Sequence, residues 1–143
     1  MPRLVTLAAV LPAPPERLYS MYLSPREHAA FTGAPVRIAA RAGAAFKAFD
    51  GALTGRILQV VPGRLIVQSW RSTQFGAREL DSTLVLAFHK DRAGGRIELT
   101  HVNVADGDFA GVCEGWGRYY WTPWRAYLLA ARRAARGRRR ISA

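Results

Sequence analysis

The sequence is poor in cysteine, in acidic residues and in long apolar runs, and each shortage removes a class of protein. Cys113 is the one cysteine among 143 residues, so no internal disulfide can form and no repeated cysteine spacing of a structural zinc site is present. A reducing compartment, the cytoplasm, is the expected location. No stretch reaches the ~20 apolar residues of a membrane-spanning helix. Leu4 to Leu11 imitates a signal peptide only loosely, because Arg3 alone precedes it, Thr6 interrupts it and a helix-start signal follows; it reads as a first strand. The three histidines, His28, His89 and His101, are far apart and have no partner at metal-ligand spacing, so no metal and no cofactor are expected. Ala93-Gly94-Gly95 joins two strands instead of opening a helix, which excludes a nucleotide phosphate loop.

Ten Asp and Glu stand against 21 Lys and Arg, giving a net charge of +11. Placement matters more than size. Six of the arginines, Arg132, Arg133, Arg136, Arg138, Arg139 and Arg140, fall in the last twelve residues, and without them the body carries only +5. This end lacks interleaved aromatics and any groove-reading motif, so neither a specific nucleic acid nor a membrane is expected as a partner. It reads as a solvated helix end with a frayed tail. No repeat or linker precedes it, and the expectation is one domain over residues 1–135 with a basic tail over 136–143.

What is present is a clear change of hydrophobic period. After the strand at Leu4 to Leu11, Glu16 to Leu23 places Leu18, Tyr19, Tyr22 and Leu23 at helical spacing, with Pro15 suited to the first turn. Ser24-Pro25 with Glu27 predicts a capped second helix to about Phe31. From Gly33 to about residue 104 the period is two. Strands are predicted near Val36 to Ala39, Ala44 to Phe49, Leu53 to Val61, Leu65 to Ser72, Ser82 to Lys90 and Arg96 to Asn103, with turns at Asp50-Gly51 and Ala93-Gly94-Gly95. Leu84, Leu86 and Phe88 share one face, as do Ile97, Leu99 and His101, and both faces are expected to line the interior. His89 points the other way, to solvent.

From Asp106 the helical period returns. Phe109, Val112, Trp116, Tyr120, Trp124, Tyr127 and Ala131 form one stripe on a long helix, which Pro123 is expected to kink near Tyr119 to Pro123, or to divide in two. This order predicts an α+β fold of the helix-grip kind: a curved antiparallel sheet of six or seven strands wrapped around the last helix, with two short helices after the first strand. A sheet curled around a helix leaves space that can hold an apolar ligand. The candidate lining is Trp116, Tyr120, Trp124 and Cys113 from the helix, Phe46, Trp70, Leu86, Leu99 and His101 from the sheet, and Phe31 from the second helix. The same residues could instead pack as a solid aromatic core.

The words of the sequence also resemble a known family. Ala30-Phe31-Thr32-Gly33-Ala34-Pro35, then Phe46, Asp50-Gly51, Gly55, Val61-Pro62, Ile66-Val67 and Trp70-Arg71, and finally Gly115-Trp116 with Arg118-Tyr119-Tyr120, resemble the C-terminal domain of the activators of the heat-shock protein 90 ATPase, within the START/SRPBCC superfamily. The resemblance spans residues 30 to 120. It departs from the family's Gly-Gly at Gly43-Ala44-Ala45 and from its Trp-Pro around Phe75-Gly76. Most of these positions are turn and core residues, so the resemblance implies the fold more than an activity, and it brings no catalytic residue. The eukaryotic activators also carry an N-terminal domain that 143 residues leave no room for. Three functions follow as expectations: a non-enzymatic module for a small apolar or amphipathic molecule, a partner of a chaperone that stimulates its ATPase, and a small-molecule enzyme using His101.

Overall fold

The computed structural model describes the backbone of residues 1–142 and the side chains of 1–140. The strands are β1 (Arg3–Leu11), β2 (Val36–Arg37), β3 (Ala45–Ala48), β4 (Leu53–Val61), β5 (Leu65–Ser72), β6 (Ser82–Asp91) and β7 (Gly94–Val104). They form one seven-stranded antiparallel sheet in the order β1-β7-β6-β5-β4-β3-β2, so only β1 has left its sequence neighbours and closes against the last strand. Helices α1 (Pro15–Leu23) and α2 (Pro25–Thr32) follow β1, and α3 (Phe109–Gly115) and α4 (Thr122–Ser142) follow β7. This is the α+β helix-grip fold expected from the sequence.

Local chemistry sets the joints. Ser24 caps α2 by accepting a hydrogen bond from the Glu27 amide at 3.2 Å, with Pro25 at the first position, while Gly33 ends it in the left-handed conformation at φ 78°. The Glu27 carboxylate turns to Arg17 of α1 at 2.5 Å, which clamps the two short helices together. At Gly55 the Ser69 carbonyl approaches so closely that an added Cβ would lie 1.9 Å from its oxygen. Glycine is needed there for the close strand contact, and the register shift of β4 falls further on, between Ile57 and Gln59.

Several boundaries differ from expectation. β2 stops at Arg37. The last hairpin turns on Arg92-Ala93, with Asp91 pairing Gly94, so Gly94 and Gly95 belong to β7; the Asp91 carboxylate holds this turn by accepting from the Ala93 amide at 2.9 Å. The kink expected near Pro123 is a π-helical segment, Trp116–Trp121, continuous with α3 and α4. A wider turn brings Tyr120 and Trp121 both inward, although they are adjacent in sequence. Trp121 therefore joins the buried face, and Ala131, expected on it, is exposed. α4 runs on through the arginines; Arg125 and Arg132 donate to the carbonyls of Val10 and Pro12 at 2.8 and 3.2 Å and strap the helix to the end of β1. Of the expected tail, residue 143 lies outside the described residues.

Candidate functional site

The inner face of the sheet meets the C-terminal helix along two stretches of different character. Around α4 the interior is filled. Trp124 is fully buried, stacks on Phe31 with centroids 4.2 Å apart and planes within 4°, and its indole N–H donates to Met21 Sδ at 3.5 Å. Phe46, Leu86 and Leu99 are buried in the same core. Around α3 and the π-helical segment the interior is open. A cleft of about 340 Å³ lies there between helix and sheet, within the size range of small-molecule sites.

The cleft wall is mostly aromatic. Trp116 and Tyr120 come from the π-helical segment, with rings 4.6 Å apart, Trp70 comes from β5, and Phe49 and the half-exposed Tyr119 stand at the mouth with rings 5.7 Å apart. Phe49 is held by an unusual backbone: Phe49, Asp50 and Gly51 have φ of 50°, 57° and 89°, three left-handed residues in a row. The left-handed conformation costs roughly 1–2 kcal/mol for a residue with a side chain. The sequence identifies the Asp-Gly turn but gives no sign that it begins one residue earlier, at a Phe.

One acidic group enters this apolar wall. Asp108, at the end of the 3₁₀ turn before α3, is nine-tenths buried, and its Oδ2 accepts a hydrogen bond from Ser72 Oγ at 2.5 Å. The Ser72 hydroxyl in turn accepts from the Gln74 amide at 3.1 Å. Sequence reasoning passes over Asp108 because a carboxylate just before a helix is ordinary chemistry.

Of the ten residues expected to line a cavity, the structure places Trp70, Trp116 and Tyr120 at the cleft. Phe31, Phe46, Leu86, Leu99 and Trp124 are buried in the core outside the cleft lining, and Cys113 packs half-buried against that core. His101 lies behind Trp70, whose ring meets it edge-on at 4.7 Å. There Ser82 donates its hydroxyl proton to the Trp70 carbonyl at 2.6 Å, so His101 Nε2–H donates to Ser82 Oγ at 2.7 Å. The His101 Nδ1 atom is then a buried acceptor with no partner among the described residues. Burial pushes this imidazole down to about 4, which keeps it neutral near pH 7.

His28, which the sequence reading left aside, is the better connected histidine. It sits three residues before Phe31 on the buried face of α2. Its Nδ1–H donates to the Tyr22 carbonyl at 2.7 Å, which leaves Nε2 to accept from the Tyr120 hydroxyl at 2.9 Å. Burial lowers it to about 4, against the opposing pull of the Tyr22 carbonyl, and burial raises Tyr120 well above the ordinary tyrosine value. Both groups therefore stay neutral, and the pair fixes the Tyr120 ring in the cleft wall. The i, i+3 spacing of His28 and Phe31 is the sequence signal for its burial. No hydrogen bond joins Cys113 to either buried histidine among the described residues, and no three metal-ligating side chains cluster there. His89 is exposed, as expected, beside Glu98.

A family profile described as Activator of Hsp90 ATPase homolog 1-like protein matches residues 12–128. The chain belongs to that family. This member of the Activator of Hsp90 ATPase homolog 1-like family is 27% identical over 116 residues to the human Activator of 90 kDa heat shock protein ATPase homolog 1, a match covering 81% of this chain and 34% of the relative. It thus spans about a third of the curated relative. Among solved structures, an HSP90 activator from Plasmodium falciparum superposes with a TM-score of 0.69 at 20% identity, covering 84% of this chain and 90% of that one. A protein of Mesorhizobium loti superposes with a TM-score of 0.74 at 19% identity, covering 88% and 96%. At these identities the two structures show the shared fold. No helix among the described residues is long and apolar enough to cross a membrane.

Proposed function

We propose that the chain is a non-enzymatic binding module that holds a small apolar or amphipathic molecule in the cleft between β5 and the π-helical segment. The observation that carries this reading is the open aromatic cleft itself. A protein with this many large rings could have closed the gap, as it does around Trp124, yet it leaves about 340 Å³ free and keeps Phe49 at the mouth on an unfavourable left-handed turn. Backbone strain of this kind persists only where the surroundings over-determine it, and such strain clusters at ligand sites. His101 stands behind Trp70, outside the cleft lining, so the reading assigns it no contact with the ligand.

Native mass spectrometry of freshly purified protein, set beside its denatured mass, tests the proposal. A non-covalent mass excess that disappears in Trp116→Ala, with the melting transition retained, supports it. Equal native and denatured masses, together with no uptake of added apolar molecules, refute it.

Family membership favours a second reading, that the chain engages a chaperone and stimulates its ATPase. Relatives named as activators of the 90 kDa heat shock protein ATPase motivate it, and the match to only a third of their length leaves it a separate question. Chaperone ATPase rates with and without the protein decide it: salt-sensitive stimulation supports the reading, and unchanged rates remove it.

A further inference from the structure

We propose that the cleft selects an amphipathic organic cation, with its charged nitrogen at Asp108 and its apolar body against the aromatic rings. This rests on the ligand-binding reading above and narrows it to a charge class. Asp108 is the one charged side chain in the cleft wall among the described residues. Asp108 is 9% exposed as a residue, and its carboxylate has a single side-chain hydrogen bond, from Ser72. No cation lies within ion-pair distance of it among the described residues, although the chain carries 21 Lys and Arg. Other carboxylates do have such partners: Asp106 faces Arg3, Asp81 faces Arg71, Glu27 faces Arg17 and Glu98 faces Arg96. All four of these are more exposed than Asp108.

A buried carboxylate without a counter-charge is costly unless it is paired or well hydrogen-bonded. The surrounding rings favour the same sign of ligand. Faces of Trp, Tyr and Phe are electronegative, so they attract a cation within about 6 Å of the ring centroid. An anion would meet repulsion from both the carboxylate and the ring faces, and a neutral molecule, though it can occupy the apolar space, would give Asp108 a hydrogen bond at most and no opposite charge. The molecule as a whole is positive, at +11, so long-range attraction cannot draw a cation in. Selection is therefore a contact effect inside the cleft.

Three probes with one ring and similar length separate the possibilities: phenethylammonium, phenethyl alcohol and phenylacetate, titrated into the full chain at neutral pH and physiological salt while amide NMR shifts are followed. The ammonium is expected to bind at least about tenfold more tightly than the alcohol, with phenylacetate the weakest. Asp108→Asn, which can still accept from Ser72, should bring ammonium and alcohol within about twofold of each other while retaining the melting transition. If that variant does not fold, the three probes on the unaltered chain still decide. Cleft shifts with the alcohol or phenylacetate as strong as with the ammonium would overturn the cation inference and leave the cleft reading standing. No shifts with any probe up to about 10 mM, ten times weaker than a millimolar complex, would overturn both.

Discussion

The two stretches of the sheet–helix interface are built from the same kinds of residue and end in opposite states. Around Trp124 the rings interlock: Phe31 lies parallel to the indole and Met21 accepts its N–H. Around Trp116 the rings stand along the walls of a space. The difference comes from which elements reach the helix. α2 packs on α4 and, with Met21 of α1, fills the gap beside Trp124, whereas the cleft is lined opposite α3 and the π-helical segment by Leu53, Trp70, Ser72 and the Phe49 turn. Aromatic content alone therefore does not distinguish a filled core from an open cleft; the second covering layer does.

The comparison breaks first at the filled end. Trp124→Ala should lower unfolding free energy by about 3–5 kcal/mol, read from the urea midpoint, because no collapse can refill the space between Phe31 and Met21. Gly55→Ala should cost about 2–4 kcal/mol, since the Ser69 carbonyl occupies the place of the new methyl group and both strands must shift. Acid should act next. His28 and His101 each have a folded value near 4 against an ordinary 6.5, so between those limits the unfolded chain binds more protons than the folded one. Stability is thus fully present above pH 6.5 and is lost as pH falls toward 4, by about 2 kcal/mol for each histidine between pH 6.5 and 5. A chemical-denaturation series across that range, repeated on His28→Gln, checks the sign and the share of His28. The smallest stability effect belongs to the cleft mouth: Tyr119→Ala should change stability by no more than about 0.5 kcal/mol while weakening ligand uptake severalfold.

The sheet was legible because alternation is a strong signal: Leu84, Leu86 and Phe88 and then Ile97, Leu99 and His101 are buried as their period implies. Ser24-Pro25 was legible because its capping chemistry is local. The π-helical segment was not, since Pro123 announces a disturbance but not its register, and Trp121 changes face as a result. The candidate site was half legible for the same reason. Trp70, Trp116 and Tyr120 follow from period and position, but Phe49 depends on a left-handed turn starting one residue early, and Asp108 depends on how far β5 runs before Ser72 meets it. His28 shows no metal-ligand spacing along the chain, because its partners, Tyr22 and Tyr120, lie on other elements.

The central claim is that the α3 end is an accessible ligand site and the α4 end is not. The most direct measurement is fluorescence titration with the neutral dye N-phenyl-1-naphthylamine on the unaltered chain and on Ala52→Trp, which places a ring in the cleft at a helical backbone position already compatible with a large side chain. The account predicts saturable dye uptake by the unaltered chain and its loss in Ala52→Trp, with melting temperatures within a few degrees, roughly the effect of 1 kcal/mol. Absence of uptake by the unaltered chain, or equal uptake by both, would contradict it.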